Sequence, residues 1–174
     1  MEKTLIVLAH PDMSHSRLNQ ALLGALKDEP NITVHDLYAT YKTPEEIDVE
    51  AEQCLLMEHQ HIVFQFPLYW FGSPGLLKYW EDKVLTPGFA YAGDHKLAGK
   101  TFRVVTTTGA SDEAYTTEGH VHATIKDLIK PLESTALYVK MVLAEPFVVY
   151  DAFHITDEAL MKKAEKYRTV LTGS

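Results

Sequence analysis

The sequence predicts an α/β protein in which five parallel strands form a doubly wound sheet of order 2-1-3-4-5, with helices on both faces. Short apolar or β-branched runs alternate along the chain with segments whose apolar residues recur at helical spacing. The first run, "TLIVLA" at 4–9, is continuously apolar, which is typical of a parallel strand covered on both faces. Because no linker or repeat interrupts this alternation, we expect one domain over residues 1–174.

The remaining four strands follow from similar runs. We expect them at 32–37 ("ITVHDL"), 61–66 ("HIVFQF"), 101–108 ("TFRVVTTT") and 145–153 ("EPFVVYDAF"). The run at 101–108 is rich in β-branched residues and stops at Gly109, a natural turn point.

The segments between the strands predict helices. One begins after Ser16, a suitable N-cap, and another has Pro74 in its first turn, where a missing N–H is tolerated. A third is interrupted near Pro131, and Thr156 caps the last. The expected ranges are 17–27, 45–60, 74–84, 118–139 and 156–171, and 86–100 reads as a surface excursion.

Composition limits the classes of function. The formal charge of −8, from 24 acidic and 16 basic residues, argues against nucleic acid as a partner, since phosphate backbones need a basic face. Cys54 is the only cysteine, so no intrachain disulfide is expected. We find no apolar run of membrane-spanning length, no signal-peptide pattern and no metal-ligand spacing, and therefore expect a cytoplasmic protein without a metal.

Three chemically unusual loops follow predicted strands 1, 3 and 4, and the carboxyl ends of parallel strands meet at one edge of a sheet. The first loop, "HPDMSHSRLN" at 10–19, brings hydroxyls, imidazoles and a cation to the start of a helix, whose free N–H groups suit a phosphate dianion. The alternative is an ordinary capped helix with surface histidines.

The second loop contains Tyr69, Trp70 and Phe71 in succession. Three exposed rings suit a planar apolar ligand or a partner subunit, although they could instead pack under a neighbouring loop. The third loop, "TTTGASDEAY" at 106–115, offers hydroxyls and backbone N–H groups that can bind the polar edge of a heterocycle, unless it is a plain turn.

Together these segments resemble the flavodoxin-like NAD(P)H:quinone oxidoreductases. That family includes mammalian quinone reductases, bacterial drug-activity modulators and the ancillary oxidoreductases of glutathione-gated potassium efflux systems. The resemblance spans nearly the whole chain. It is carried by "LIVLAHPDMSHSRLNQAL", "IVFQFPLYWFGSPGLLKYWEDKVLTPGFAYAG", "VVTTTGASDEAY" and "EPFVVYDAF", of which the second is the most specific.

The resemblance implies a noncovalent flavin bound by all three loops. The phosphate end would be held by His10, Ser16, Arg17, Leu18 and Asn19. The isoalloxazine would be framed by Pro67, Leu68, Tyr69, Trp70 and Phe71. Its polar edge would meet Thr107, Thr108, Gly109 and Ala110, where other members have Gly-Gly in place of Gly109-Ala110.

The resemblance also implies the chemistry. Tyr115 matches a tyrosine that steadies negative charge on the reduced ring, and His120 is the candidate for its histidine partner, although Val121 occupies the expected position and His122 lies beyond it. FMN is expected instead of FAD, because the longer FAD-binding members carry a C-terminal extension. The expected reaction is ping-pong hydride transfer from NAD(P)H to a quinone-like acceptor, in a homodimer with the active site at the interface.

Two other functions stay open. The chain could act mainly as a regulatory subunit associated with a membrane potassium efflux system, as the ancillary members do. It could also be a one-electron flavodoxin-type carrier, although "HPDMSHSRLN" lacks the short Ser/Thr-rich phosphate loop typical of those carriers.

Overall fold

The computed structural model describes residues 2–173 and confirms the predicted fold class, with a parallel sheet whose strand order is β2-β1-β3-β4-β5. All strand pairs are parallel, and the fifth position is shared by two short strands that both pair with β4. The strands are β1 (Thr4–Leu8), β2 (Ile32–Asp36), β3 (His61–Pro67), β4 (Thr101–Thr107), β5 (Val142–Leu143) and β6 (Phe147–Val149). Residues 150–153, predicted as the end of the last strand, lie in a loop.

Helices connect the strands on both faces of the sheet. They are α1 (Arg17–Gly24), α2 (Leu37–Thr40), α3 (Val49–Glu58), α4 (Gly75–Val84), α5 (Ile125–Tyr138) and α6 (Asp157–Thr172). The predicted start of α5 at residue 118 is wrong. The helix begins after Thr124, because the side chains of Thr124 and Asp127 form a capping box there. Pro131 lies inside α5 and does not end it.

Two other helix boundaries differ from the prediction by three or more residues. α3 begins at Val49 instead of 45, because the Asp48 carboxylate accepts the N–H of Ala51 as an N-cap, and a separate 3₁₀ turn covers 44–46. α1 ends at Gly24, before the predicted boundary at residue 27.

A buried layer lies on each face of the sheet. Under α3, α4 and α5, the ring of Phe64 packs edge-on against Trp80 and Phe102, with ring centroids 5.5 Å and 4.9 Å apart. On the opposite face, Leu22 of α1 and Tyr167 of α6 cover the sheet. This double covering leaves the carboxyl ends of the central strands as the accessible edge.

The buried carboxylate of Glu52 ties α3 to three other elements. Its Oε1 lies 2.6 Å from both His35 Nε2 of β2 and the Tyr41 hydroxyl, and its Oε2 accepts the indole N–H of Trp80 at 2.8 Å. Burial alone would raise the pKa of Glu52, but these hydrogen bonds outweigh it and lower the pKa. Trp80 is thereby anchored, and with it the helix that follows the aromatic loop.

Candidate active site

The three loops singled out from the sequence meet at the carboxyl edge of β1, β3 and β4. Backbone hydrogen bonds join the strand ends from which the loops start: the N–H of Ala9 donates to the carbonyl of Gln65 at 2.9 Å, and that of Leu68 donates to the carbonyl of Thr107 at 2.9 Å. The loops therefore form one continuous surface beyond the strand ends, at the position where open α/β sheets bind ligands.

The first turn of α1 leaves its backbone donors free. The Ser16 side chain does not cap the helix, and within residues 2–173 the N–H groups of Arg17, Leu18 and Asn19 have no acceptor. Ser16 Oγ instead accepts a hydrogen bond from Asn19 Nδ2 at 3.0 Å. Free N–H groups at the positive end of a helix form an anion-binding position.

His10, at the start of the same loop, is a neutral donor. Its Nδ1 accepts the backbone N–H of Asp12 at 3.0 Å, so the ring proton resides on Nε2. Burial lowers the pKa of His10, partly opposed by the carboxylates of Asp12 and Asp36. The imidazole therefore offers a hydrogen bond without a charge at neutral pH.

The Arg17 side chain lies elsewhere. Its guanidinium donates to the carbonyl of Ile155 at 2.6 Å and to the carboxylate of Asp157 at 2.9 Å, at the start of α6. What Arg17 brings to the first turn of α1 is its backbone N–H. This contact could not be predicted from sequence pattern, because residues 17 and 157 are far apart in the chain.

The aromatic loop is a two-residue hairpin turn. The N–H of Tyr69 donates to the carbonyl of Gly72 at 2.9 Å, and the N–H of Gly72 returns to the carbonyl of Tyr69 at 3.0 Å. Both central residues, Trp70 and Phe71, have positive φ, at 45° and 64°, as in a type I′ turn. Trp70 is 94% exposed, so the turn projects this ring outward, whereas Pro67 at the end of β3 is buried and Leu68 is partly buried.

The third loop is covered by a segment that sequence reasoning assigned to a strand. Thr107 and Thr108 are buried, whereas Gly109 and Ala110 are exposed. The N–H groups of Asp151 and Ala152, in the β6–α6 loop, donate to the carbonyls of Ala110 and Thr108, each at 3.0 Å. Sequence reasoning missed this loop as a fourth contributor to the site.

Tyr115 is half-buried after a short 3₁₀ turn, with its ring centroid 5.9 Å from that of Tyr150. Burial raises the pKa of Tyr115, so its hydroxyl keeps the proton at neutral pH. His120 and His122 lie exposed in the following turns. The backbone N–H of Val121 donates to the carbonyl of Ala114 at 3.1 Å, which places an apolar side chain between the two histidines.

A buried chain of polar side chains runs from α6 to the first loop. The Tyr167 hydroxyl donates to Gln65 Oε1 at 2.8 Å, and Gln65 Nε2 donates to Asn19 Oδ1 at 2.9 Å. Asn19 Nδ2 then donates to Ser16 Oγ at 3.0 Å and to Thr107 Oγ1 at 3.4 Å. Gln65 and Tyr167 were missed from the sequence, where the available signal was a glutamine inside the apolar run "HIVFQF".

A family model described as "Flavodoxin-like fold" matches residues 2–171. The chain belongs to this family. Among its relatives, the uncharacterized NAD(P)H oxidoreductase YrkL of Bacillus subtilis is 44% identical over 165 residues, covering 94% of each chain. The glutathione-regulated potassium-efflux system ancillary protein KefG of Pectobacterium carotovorum is 43% identical over 167 residues, covering 95% of this chain and 90% of that protein.

Solved structures agree with the family assignment. An NADPH-quinone reductase from P. pentosaceus superposes with a TM-score of 0.91 at 31% identity, covering 99% of both chains. General stress protein 14 from Treponema denticola, solved in complex with FMN, superposes with a TM-score of 0.86 at 38% identity, covering 98% of this chain and 97% of that one. The resemblance inferred from the sequence motifs is thereby confirmed.

Two further properties bear on the chemistry. No cluster of three or more His, Cys, Asp or Glu side chains able to hold a metal ion occurs in residues 2–173. Over the same residues, every helix is too short or too polar to cross a membrane.

Proposed function

We propose that this protein is an FMN-dependent NAD(P)H:quinone oxidoreductase. The observation that carries the proposal is the uncapped first turn of α1 at the edge where three loops meet, because it offers several donors to one phosphate. The FMN complex of a relative with 38% identity supports the choice of cofactor. The two relatives described as NAD(P)H oxidoreductase and NADPH-quinone reductase support the reaction class.

The donor set suits a flavin with a single phosphate. The N–H groups of residues 17–19, the Ser16 hydroxyl and the Nε2–H of His10 are all donors, as a phosphate requires. The rings of Trp70 and Phe71 provide apolar surface for the isoalloxazine, and the backbone of Gly109 and Ala110 is open to its polar edge. FMN fits this set without any second phosphate site.

FMN bound there would supply two-electron redox chemistry between NAD(P)H and a quinone-like acceptor, as a ping-pong reaction requires. The protein orients the ring and stabilises charge at its polar edge. Tyr115, whose raised pKa keeps its hydroxyl protonated, acts as a donor toward developing negative charge. His120, which lies one residue before the position where the family resemblance places a histidine, is proposed as its partner.

The test is purification followed by reconstitution. The protein should show a flavin absorption spectrum after incubation with FMN and gel filtration. It should then oxidise NADH or NADPH in the presence of quinones, with parallel lines in double-reciprocal plots as a ping-pong reaction requires. A protein that cannot be loaded with FMN contradicts the proposal.

A homodimer with the active site at its interface is part of this proposal. The exposed rings of Trp70 and Phe71 at the site, together with exposed Tyr79 on α4, form apolar surface that a second copy would cover. Analytical ultracentrifugation of the FMN-loaded protein should give twice the monomer mass of 19.6 kDa, whereas a monomer at micromolar concentration contradicts this part.

The second candidate function is regulation of a potassium efflux system, favoured by the 43% identity to the ancillary protein KefG. Deletion of the gene should then reduce potassium efflux. A Ser16→Asp variant, whose carboxylate would repel the phosphate and prevent FMN binding, would show by complementation whether regulation needs the flavin. Unchanged efflux after deletion excludes this role in the host tested.

A further inference from the structure

The buried polar chain that ends at Ser16 begins at Tyr167, on the opposite face of the sheet from α4. We propose that Tyr167 and Gln65 are positioning residues that fix the direction in which the Ser16 hydroxyl donates, and so set the affinity of the site for the phosphate of FMN. This inference rests on the proposed function. Neither residue needs to touch the flavin.

The donor-to-acceptor direction of this series of hydrogen bonds is set at Tyr167. Its hydroxyl is sealed from solvent, and a buried O–H without an acceptor is strongly unfavourable. Gln65 Oε1, at 2.8 Å, accepts this proton. Arg103, the charged group nearby on β4, has only donors and cannot take it. The phenol must therefore donate to Gln65, which fixes the oxygen of the Gln65 amide toward α6.

The two amides transmit this direction. With its oxygen committed to Tyr167, Gln65 can present only its NH₂ to Asn19, whose Oδ1 lies 2.9 Å away. Asn19 in turn can present only its NH₂ to Ser16 Oγ at 3.0 Å and, more weakly, to Thr107 Oγ1 at 3.4 Å. Each amide thus has one orientation that satisfies all its buried groups.

The fixed amides determine where the proton of the Ser16 hydroxyl points. Because Ser16 Oγ already accepts a hydrogen bond from inside the protein, its own proton is free to point outward, toward the first turn of α1. A phosphate dianion accepts hydrogen bonds and donates none, so an outward proton is attractive and an outward lone pair repulsive. If both amides rotated, Ser16 would donate to Asn19 and offer the phosphate a lone pair.

Tyr167→Phe removes the group that prevents this rotation while keeping the buried ring. We expect the dissociation constant for FMN, measured by quenching of flavin fluorescence, to rise about tenfold, the loss typical of a weakened hydrogen bond to a charged group. The dissociation constant for riboflavin, which lacks the phosphate, should change less than about twofold. Tyr41→Phe is the matched control, because it deletes a buried hydroxyl on the other face of the sheet, and should alter neither constant.

A double-mutant cycle separates positioning from general weakening of the fold. In a Ser16→Ala background, Tyr167→Phe should cause almost no further loss of FMN affinity, because the hydroxyl that it orients is gone. Gln65→Met breaks the same chain and should show the same selectivity if Tyr167→Phe does not fold.

The outcomes are distinct. Selective loss of FMN affinity that vanishes in the Ser16→Ala background supports the inference. Equal losses for FMN and riboflavin, additive losses in the cycle, or unchanged FMN affinity in Tyr167→Phe overturn it while leaving the proposed function intact. An unsubstituted protein that binds no FMN overturns the proposed function and this inference together.

Discussion

The ring of Phe153 lies against Gly109, so closely that a Cβ atom at position 109 would be 3.0 Å from Cε2 of the ring. Phe153 belongs to the β6–α6 loop and is 80% exposed, so it covers the third loop of the site without being held in the core. The backbone hydrogen bonds from Asp151 and Ala152 fix this arrangement. A side chain at position 109 would therefore be crowded by Phe153, next to the exposed backbone that is proposed to meet the polar edge of the flavin.

Gly109→Ala should weaken FMN binding with little effect on folding. The added methyl group must displace the Phe153 ring, which can move because it is at the surface. The free energy of unfolding should fall by less than about 1 kcal/mol, as for most surface substitutions, while the dissociation constant for FMN rises several-fold. Urea denaturation and fluorescence titration measure the two quantities. If a Gly109→Ala/Phe153→Ala double variant is no better at binding FMN than Gly109→Ala, crowding by Phe153 is not the cause.

Replacing Trp70 by Asn and Phe71 by Gly should stabilise the protein and impair the site. Both residues hold positive φ, which is unfavourable by about 1 kcal/mol or more for side chains of this kind, and Asn-Gly is the preferred pair for such a turn. We expect the free energy of unfolding to rise by about 1–2 kcal/mol and FMN affinity to fall at least tenfold. Tyr79→Asn, at an exposed ring on α4, is the control and should stabilise nothing. Tight FMN binding by the double variant would show that the rings serve another purpose.

Much of the fold follows from local sequence pattern, and the misses have physical causes. A continuous apolar run locates β1, a mostly apolar run locates β3 and a β-branched run locates β4, so the three loops that meet at their ends could be anticipated. The β6–α6 loop could not, because its bonds to Ala110 and Thr108 depend on tertiary proximity that an apolar run does not reveal. The start of α5 could have been found, since Thr124 and Asp127 form a T-x-x-D capping pattern.

The candidate site, like the fold, has features that the sequence predicts and features that it does not. Donor types at a helix start are visible in "HPDMSHSRLN", but the direction of a side chain is not: Arg17 turns to Asp157, 140 residues away in the chain. A buried glutamine in β3 indicates that a hydrogen-bond partner is needed, but the tertiary structure is required to identify Tyr167 and Asn19 as its partners.

Glu52→Gln should destabilise the protein strongly at neutral pH. The carboxylate accepts three buried hydrogen bonds, and an amide in its place would direct an NH₂ group at one of the donors. We expect a loss of about 2–4 kcal/mol, measured by denaturant unfolding monitored by circular dichroism. Glu50→Gln, on the exposed side of α3, should have little effect.

The same site predicts a pH dependence. The pKa of Glu52 is lower in the folded protein than its ordinary value of 4.5. Its contribution to the free energy of unfolding is therefore present above pH 4.5 and is lost as the pH falls through the pKa of the folded protein. The stability of Glu52→Gln should therefore decline less steeply on acidification. Parallel acid-unfolding curves for the two proteins would contradict the assignment.

Glu81 contributes a pH dependence of stability that is opposite in sign to that of Glu52. It is buried on α4, and burial raises its pKa from 4.5 to about 7, while Lys78 opposes the rise and Asp82 adds to it. From α5, Thr135 lines the same cleft. The folded protein holds this proton more tightly than the unfolded chain, so stability declines as pH rises from 4.5 to 7. Glu81→Gln should raise the free energy of unfolding at pH 8 by up to about 3 kcal/mol and change it little at pH 4. Equal effects at both values would show that packing, and not ionisation, is responsible.

We propose that the edge formed by the three loops binds FMN with its phosphate at the start of α1. A crystal structure of the protein grown with FMN tests this placement. We predict the phosphate within hydrogen-bonding distance of Ser16 Oγ and of the N–H groups of residues 17–19, with the isoalloxazine against the aromatic turn. FMN bound elsewhere, or this edge filled by the protein's own side chains, would contradict the account.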